Sequence, residues 1–208
     1  MIDVILTPLQ PWAELPWFSM SPLEIAATVF GLWSVWAYTR ESMWAWPAGL
    51  INVLLYIVMF WQGKLYGETG LQVIFVFLQC YGWWVWRRGS GREHELVITR
   101  TSLRLWLLLA TVAAISVVPL GLALKHWTDS TTPWWDALPT ILSLVAQWMI
   151  SYKKLENWYV WILVDLISIP LFASKGFYLT AGLYVVFLTL CILGVRQWTR
   201  TLRASRAA

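Results

Sequence analysis

Two stretches of this 208-residue chain decide how the rest is read: Gly70–Trp86, GLQVIFVFLQCYGWWVW, and Gly182–Trp198, GLYVVFLTLCILGVRQW. Laid over each other, 112 positions apart and without a gap, they share Gly70/Gly182, Leu71/Leu183, Val73/Val185, Phe75/Phe187, Leu78/Leu190, Gly82/Gly194 and Trp86/Trp198. The same offset brings Trp36 onto Trp148, Trp46 onto Trp158 and Tyr66 onto Tyr178. Unrelated apolar helices do not repeat their Trp, Tyr and Gly at one ungapped offset. The chain therefore reads as a duplicated unit of three hydrophobic segments, and two such units can close around a shared central site, as carriers do.

Composition sets the medium. Hydrophobic residues make up 59% of the chain and charged residues 12%, about half the charged share of an ordinary soluble domain. The eighteen tryptophans suit rings with one apolar and one wet edge, at a membrane interface or around a planar ligand. Seven hydrophobic spans follow: Pro22–Tyr38, Met43–Trp61, Thr69–Trp86, Leu103–Leu124, Ala137–Ser151, Trp158–Phe172 and Phe177–Arg196. The fifth and sixth are the shortest. A helix of about 20 apolar residues crosses about 30 Å of hydrocarbon.

The charges orient these spans. With the N-terminus outside, the inner side receives Arg40, Arg87, Arg88, Arg92, Arg100, Arg104, Lys153, Lys154, Arg196, Arg200, Arg203 and Arg206. Only Lys64, Lys125 and Lys175 fall outside, so twelve basic residues stand against three. That bias predicts a cytoplasmic C-terminus. It also explains the net charge of +4 without nucleic acid, whose binding would gather the basic residues on one folded face. Met1–Met20 lacks the basic start of a secretory leader, and its Leu, Trp and Phe broken by Pro8, Pro11 and Pro16 read as a segment lying on the outer interface.

The expected architecture is an all-α integral membrane protein, one transmembrane domain over 1–208. An interfacial segment at 1–21 precedes a first repeat at 22–88, a linker helix at 103–124 and a second repeat at 137–198. One crossing between the repeats makes them parallel, related by an axis along the membrane normal. The longest polar stretch, Arg87–Thr101, leaves no room for a nucleotide-hydrolysing domain.

Polar side chains inside spans need partners, so they mark helix packing or a pathway. Trp158, Trp161, Asp165 and Ser168 fall on one helical face of the sixth span, and Asp165 is the one acid placed deep in any span. A carboxylate there should face a cavity, a cation or a strong donor. The second span offers Gly49, Asn52 and Tyr56 on one face with Trp46 near its end; the third carries Gln72 and Gln79; the fifth carries Thr140, Ser143, Gln147 and Ser151. Helix packing accounts for the small hydroxyls, and it competes with ligand contact for the amides. Trp83, Trp84, Trp86 and Trp198 read as an interfacial belt. Trp36, Trp46, Trp158 and Trp161 are the candidates for stacking on a flat ligand.

Other residue types exclude alternatives. His94 and His126 read as loop residues far apart, so no metal site and no histidine-based catalysis emerges. Cys80 and Cys191 read as reduced packing residues. No Lys or Arg falls at mid-span, which argues against a phosphorylated cargo and suits a neutral or cationic aromatic one. A membrane-embedded enzyme lacks a nucleophile–base pair, and a purely structural subunit leaves Asp165 and the duplication unexplained.

The motifs also carry a resemblance. Trp46 through Asn52 and Tyr56, Lys64-Leu65-Tyr66, Gly70-Leu71-Gln72 and Tyr81-Gly82-Trp83-Trp84-Val85-Trp86 resemble the PnuC-type nicotinamide riboside transporters of bacteria. The second half agrees through Glu156-Asn157-Trp158, Trp161, Asp165, Pro170-Leu171 and Lys175-Gly176-Phe177-Tyr178-Leu179-Thr180-Ala181. The resemblance implies seven helices in a three-one-three arrangement akin to the SWEET transporters. It also implies facilitated diffusion of nicotinamide riboside across the inner membrane without a cofactor, made directional by a cytoplasmic riboside kinase. The faces and polar stripes read above suit such a cargo, and the expected substrate-binding set is Trp46, Asn52, Tyr56, Gln72, Gln79, Gln147, Trp158, Trp161 and Asp165. Thiamine or riboflavin as cargo, proton coupling, and assembly into a homo-oligomer such as a trimer stay open.

Overall fold

Capping residues set where several helices begin and end. In the computed structural model, which describes residues 21–62, 66–89, 96–128 and 130–207, the hydroxyl of Ser21 accepts from the Glu24 backbone N–H at 3.1 Å. Pro22 then opens α1 (Pro22–Thr39) at a position where its missing N–H costs nothing. Six more helices follow: α2 (Ala45–Gln62), α3 (Tyr66–Arg88), α4 (Leu103–Trp127), α5 (Pro133–Ser151), α6 (Asn157–Ser174) and α7 (Tyr178–Ala207). Ser102 caps α4 by accepting from Leu105 N–H at 3.3 Å, and Pro133 starts α5. After α6, Gly176 at φ +83° makes the left-handed turn that L side chains resist, and α7 follows.

All seven expected spans are helices, with altered ends. α5 begins four residues before Ala137, because Thr132 and Pro133 provide an earlier start. α7 runs on past Arg196 to Ala207, since Arg200, Leu202, Arg203 and Ala204 are good helix formers. Of the seven, α2, α4, α6 and α7 up to Ser205 are long and apolar enough to cross a membrane. The other three are less apolar along their length, with Glu24, Ser34 and Thr39 in α1, Gln72 and Gln79 in α3, and Asp136, Thr140, Ser143, Gln147 and Ser151 in α5.

The chain forms two compact units, one ending at Arg88 and the other starting at Gly89. In the first, α2 packs on both α1 and α3. In the second, α4 packs on α5, α5 on α6 and α6 on α7. α4 approaches α5 closely at Gly121, whose backbone lies under the Trp134 ring where a Cβ would collide. Elsewhere on α4, Leu103, Leu107 and Ile115 are exposed.

Within each unit the turn between its paired helices has the same hydrogen bonds at the 112 offset. Arg40 N–H donates to Ala37 O, Glu41 N–H to Tyr38 O and Ser42 N–H to Ala37 O; Tyr152, Lys153 and Lys154 donate in the same way to Met149, Ile150 and Met149. Glu41 and Lys153, the central residues of these turns, both take a left-handed backbone, with φ 54° and 47°. The second turn has an extra layer. Thr99 pairs with it as a short parallel bridge: Thr99 N–H donates to Lys153 O at 3.1 Å, and Leu155 N–H donates to Thr99 O at 3.0 Å. Lys154 Nζ donates to Thr99 Oγ1 at 3.0 Å, and the Glu156 carboxylate accepts from both Thr101 N–H and Thr101 Oγ1 at 2.8 Å.

Met1–Met20, Lys64, Leu65, Arg92 and His94 lie outside the described residues. His126 sits in the last turn of α4 rather than in a loop, because the apolar run carries the helix on to Trp127.

Candidate functional site

In the first unit a polar and aromatic cluster ties α1, α2 and α3 together. Trp46, at the start of α2, is 0% exposed. Its ring meets Tyr38 edge-on at 5.0 Å and Trp86 at 5.4 Å. Tyr38 turns its hydroxyl to Gln79, donating to Oε1 at 2.8 Å. The Gln79 amide nitrogen lies against Gly49 where a Cβ would sit, and Ser34 Oγ stands on the same spot while donating to Ala45 O at 2.8 Å. A step further along α2, Asn52 Nδ2 donates to Ala27 O at 2.6 Å, which joins α2 to α1. Tyr56 is half-buried and stacks on Phe60 with ring centroids 5.5 Å apart. Gln72, two turns before Gln79 on α3, is half-buried.

The second unit repeats the aromatic part and changes the polar part. Trp158, 1% exposed, meets Trp198 edge-on at 5.4 Å, the same separation as Trp46 and Trp86. Its indole lies on Gly194, so close that a Cβ there would come within 2.5 Å of the ring. About two turns along α6, the buried Asp165 carboxylate is hydrogen-bonded to the Cys191 thiol of α7. Its second oxygen, Oδ2, has no hydrogen-bond partner among the described residues, and neither do Trp46 Nε1, Trp158 Nε1 and Asn157 Oδ1. Buried orphans of this kind call for an explanation. Ser168 is buried one turn beyond Asp165. Gln147 is buried on α5, where Ser151 Oγ donates to its backbone carbonyl at 2.9 Å. Trp161 is half-buried and packs with Trp106 and Leu109 of α4 against Ala146, Met149 and Val160.

Two of the expected assignments are corrected by this geometry. Trp86 and Trp198 are not interfacial belt residues: both are buried as the edge partners of Trp46 and Trp158. Their joint recurrence at one offset was a signal of pairing. Trp84 does remain at the surface, 50% exposed, with the Arg88 guanidinium 4.3 Å over its ring. Trp36 is also open, with Arg40 at 5.5 Å. Of the two thiols only Cys191 packs inside; Cys80 is exposed. Tyr38 is the residue the sequence reading passed over. Its place one step from the polar end of α1 carries no motif, and only the fold brings it to Gln79.

The polar chemistry changes helix between the units. At the 112 offset Gln79 corresponds to Cys191 and Val53 to Asp165. α3 therefore supplies an amide in the first unit, and α6, the counterpart of α2, supplies a carboxylate in the other. Each is buried within its own unit.

Comparison with known proteins places the chain. The profile of the nicotinamide mononucleotide transporter family matches residues 21–200. The nicotinamide riboside transporter PnuC of Escherichia coli strain K12 is 29% identical over 211 residues, spanning 89% of this chain and 88% of that protein. The one from Neisseria mucosa is 30% identical over 195 residues, with 87% and 73% covered. The riboflavin/roseoflavin transporter RibM of Streptomyces davaonensis is 29% identical over 190 residues, with 88% and 87% covered. A crystal structure of the vitamin B3 transporter PnuC superimposes with a TM-score of 0.71 at 27% identity, over 88% of this chain and 82% of that one.

Proposed function

Because this chain belongs to the nicotinamide mononucleotide transporter family, we propose that it carries nicotinamide riboside across a bacterial inner membrane by facilitated diffusion. The observation that carries the reading is the near full-length match to transporters named for that riboside, in sequence and in structure. The dephosphorylated cargo, rather than the mononucleotide of the family's title, is favoured by where the cations sit. Arg87 and Arg88 close α3, Lys125 lies in the last turn of α4, Arg104 in its first, and the arginines of α7 start only at Arg196, eighteen residues into the helix. A phosphate in the middle of the membrane would lack a basic partner there.

The arrangement proposed is three helices, one linker helix and three helices, with the two repeats parallel and all seven helices spanning as one transmembrane domain over 1–208. The identical turns after α1 and α5 and the matched Trp46–Trp86 and Trp158–Trp198 pairs support it. The basic-residue count supports an outer N-terminus and a cytoplasmic C-terminus. The substrate set is Trp46, Asn52, Tyr56, Gln72, Gln79, Gln147, Trp158, Trp161 and Asp165. Aromatic faces suit the pyridinium ring, and amides suit the carboxamide and ribose hydroxyls. A cytoplasmic riboside kinase would trap the product and give uptake its direction. A homo-oligomer, such as a trimer, would cover part of the exposed apolar surface of α4.

The test is uptake into liposomes containing only this protein. Saturable entry of nicotinamide riboside without any ion gradient is expected, and strict dependence on a proton gradient would overturn the facilitator reading. The match to RibM makes riboflavin the competing cargo. Binding of nicotinamide riboside, thiamine, riboflavin and nicotinamide mononucleotide to the purified protein decides between them.

A further inference from the structure

The two units differ on their outer surfaces as well as inside. On α1, Val29, Trp33, Trp36 and Arg40 are all exposed, and their spacing of i, i+4, i+7 and i+11 makes them one stripe of the helix. α3 repeats the spacing with Phe77, Tyr81, Trp84 and Arg88, again all exposed. Each stripe ends in the same pair, a guanidinium over the tryptophan one turn before it: Arg40 lies 5.5 Å from the Trp36 ring and Arg88 4.3 Å from the Trp84 ring. Neither arginine is in a salt bridge among the described residues. The two ends stand at one level, because Tyr38 of α1 meets Trp86 of α3 at 6.0 Å. The second unit does not repeat the arrangement. At the 112 offset Trp148 has Tyr152 beside it at 4.8 Å instead of an arginine, and Trp106 and Leu109 of α4 pack on the same cluster as Val145 and Trp148. On α7 the counterparts of Trp84 and Arg88 are Arg196 and Arg200, so no tryptophan precedes Arg200 by one turn.

We propose that each stripe of the first unit holds an anionic phospholipid of the inner leaflet, with its phosphate on Arg40 or Arg88, its glycerol at the tryptophan ring and an acyl chain along the apolar residues. Eleven residues of helix cover about 16 Å, and one leaflet of hydrocarbon is about 15 Å deep, so a stripe has the length of one lipid tail region. Tryptophan belongs at the level of the headgroups. A ring against one face of the guanidinium fixes its plane and leaves the N–H fork at its edge free, the geometry that holds a phosphate through two hydrogen bonds. The occupant is a lipid rather than a soluble anion because the surface continues apolar and aromatic from the charge toward mid-membrane. It is anionic rather than zwitterionic because both arginines present their charge without a paired carboxylate. The proposal goes beyond the transport reading: it needs α1 and α3 to span the membrane with their arginine ends on the cytoplasmic side, and does not depend on the cargo.

The experiment is native mass spectrometry of the full chain in detergent, titrated with phosphatidylglycerol or with phosphatidylcholine of the same acyl chains. Wild-type protein is expected to retain one phosphatidylglycerol at each stripe, with a preference over phosphatidylcholine of at least about fivefold, the scale of one basic residue at an anionic surface. Arg40→Gln and Arg88→Gln should each remove one retained lipid. Trp36→Leu and Trp84→Leu, which leave the charge alone, should each weaken retention by about threefold or more. Arg200→Gln removes the same charge where no tryptophan stands, and should leave both lipids in place. Equal retention of the two lipids by the wild type, or a loss in Arg200→Gln as large as in Arg88→Gln, would overturn the proposal in favour of a diffuse positive field. Displacement of the lipid by an equal concentration of glycerol 3-phosphate would overturn it in favour of a soluble anion. Dissociation into single chains in Arg40→Gln with the lipid count unchanged would put a second copy of the chain on the stripe instead. All the substituted side chains are exposed, and should a variant still fail to fold, the wild-type preference decides. Riboside binding, measured on the same samples, is expected to be unchanged in Arg88→Gln, so failure of this proposal and failure of the transport reading are separate results.

Discussion

Replacing Gly194 by alanine should destabilise the second unit, and a neighbouring glycine calibrates the size of the effect. A Cβ at position 194 would stand 2.5, 2.6 and 2.7 Å from three atoms of the Trp158 indole. Carbon atoms in good contact are about 3.5–4.0 Å apart, so the ring would have to retreat by about 1 Å. It has nowhere to go: Trp158 is 1% exposed and its edge is already against Trp198, itself fully buried. Overpacking of a filled site costs about 1–3 kcal/mol. Alanine also gains about 0.5–1 kcal/mol over glycine through the backbone of a helix. Gly182, three turns earlier on α7, has nothing within 4 Å of its would-be Cβ, so Gly182→Ala collects that gain alone. The difference in stability between the two variants therefore isolates the steric term, about 1–3 kcal/mol. Thermal or denaturant unfolding in detergent, followed by tryptophan fluorescence, measures it. Trp158→Phe in the Gly194→Ala background should recover part of the loss. Equal stability of Gly194→Ala and Gly182→Ala would show that α6 does not approach α7 through this glycine.

The other expectations concern hydrogen bonds and ligand contact. Tyr38→Phe keeps the ring against Trp46 but removes the donor to Gln79, and should cost about 1 kcal/mol; in a double-mutant cycle the loss should vanish in a Gln79→Leu background, and full additivity would count against the contact. Glu156→Gln weakens a carboxylate that accepts two bonds from Thr101, so amide hydrogen exchange at Thr99 and Thr101 should accelerate; unchanged protection would mean the bridge to Lys153 and Leu155 holds the segment alone. Asn52→Ala and Trp158→Ala should each weaken riboside binding by about 1 kcal/mol or more. Calorimetry or fluorescence titration reads both, and wild-type affinity in the two folded variants would place the cargo on other side chains.

Much of the helical layout could be read before folding, because apolar length and punctuation act locally. Seven runs became seven helices, and Ser21, Pro22, Ser102 and Pro133 mark starts that depend only on neighbours along the chain. Boundaries moved where a local reading undervalued polar residues, as in α7, which continues well past Arg196. The tryptophans were harder. Near a run of arginines, Trp84 and Trp86 look alike in sequence, yet one is exposed beneath Arg88 and the other is buried against Trp46 and Tyr38. Their faces are about 200° apart on a helix, and which face meets α2 is a property of packing.

The 112-residue repeat and the density of apolar helices are written in the chain itself, since identity at a fixed offset and hydropathy need no third dimension. What the tertiary structure decided is how the copies differ inside. It pairs Trp46 with Trp86 and Trp158 with Trp198 at the same 5.4 Å, closes matching turns at Glu41 and Lys153, and then departs from symmetry at the next layer. There Tyr38 engages Gln79 in one unit, and Asp165 meets a thiol in the other with an oxygen left over. Partners in that layer come from different helices, separated by 41 residues in the first case and 26 in the second. Local preference is blind to such pairings, because they exist only once the helices have packed.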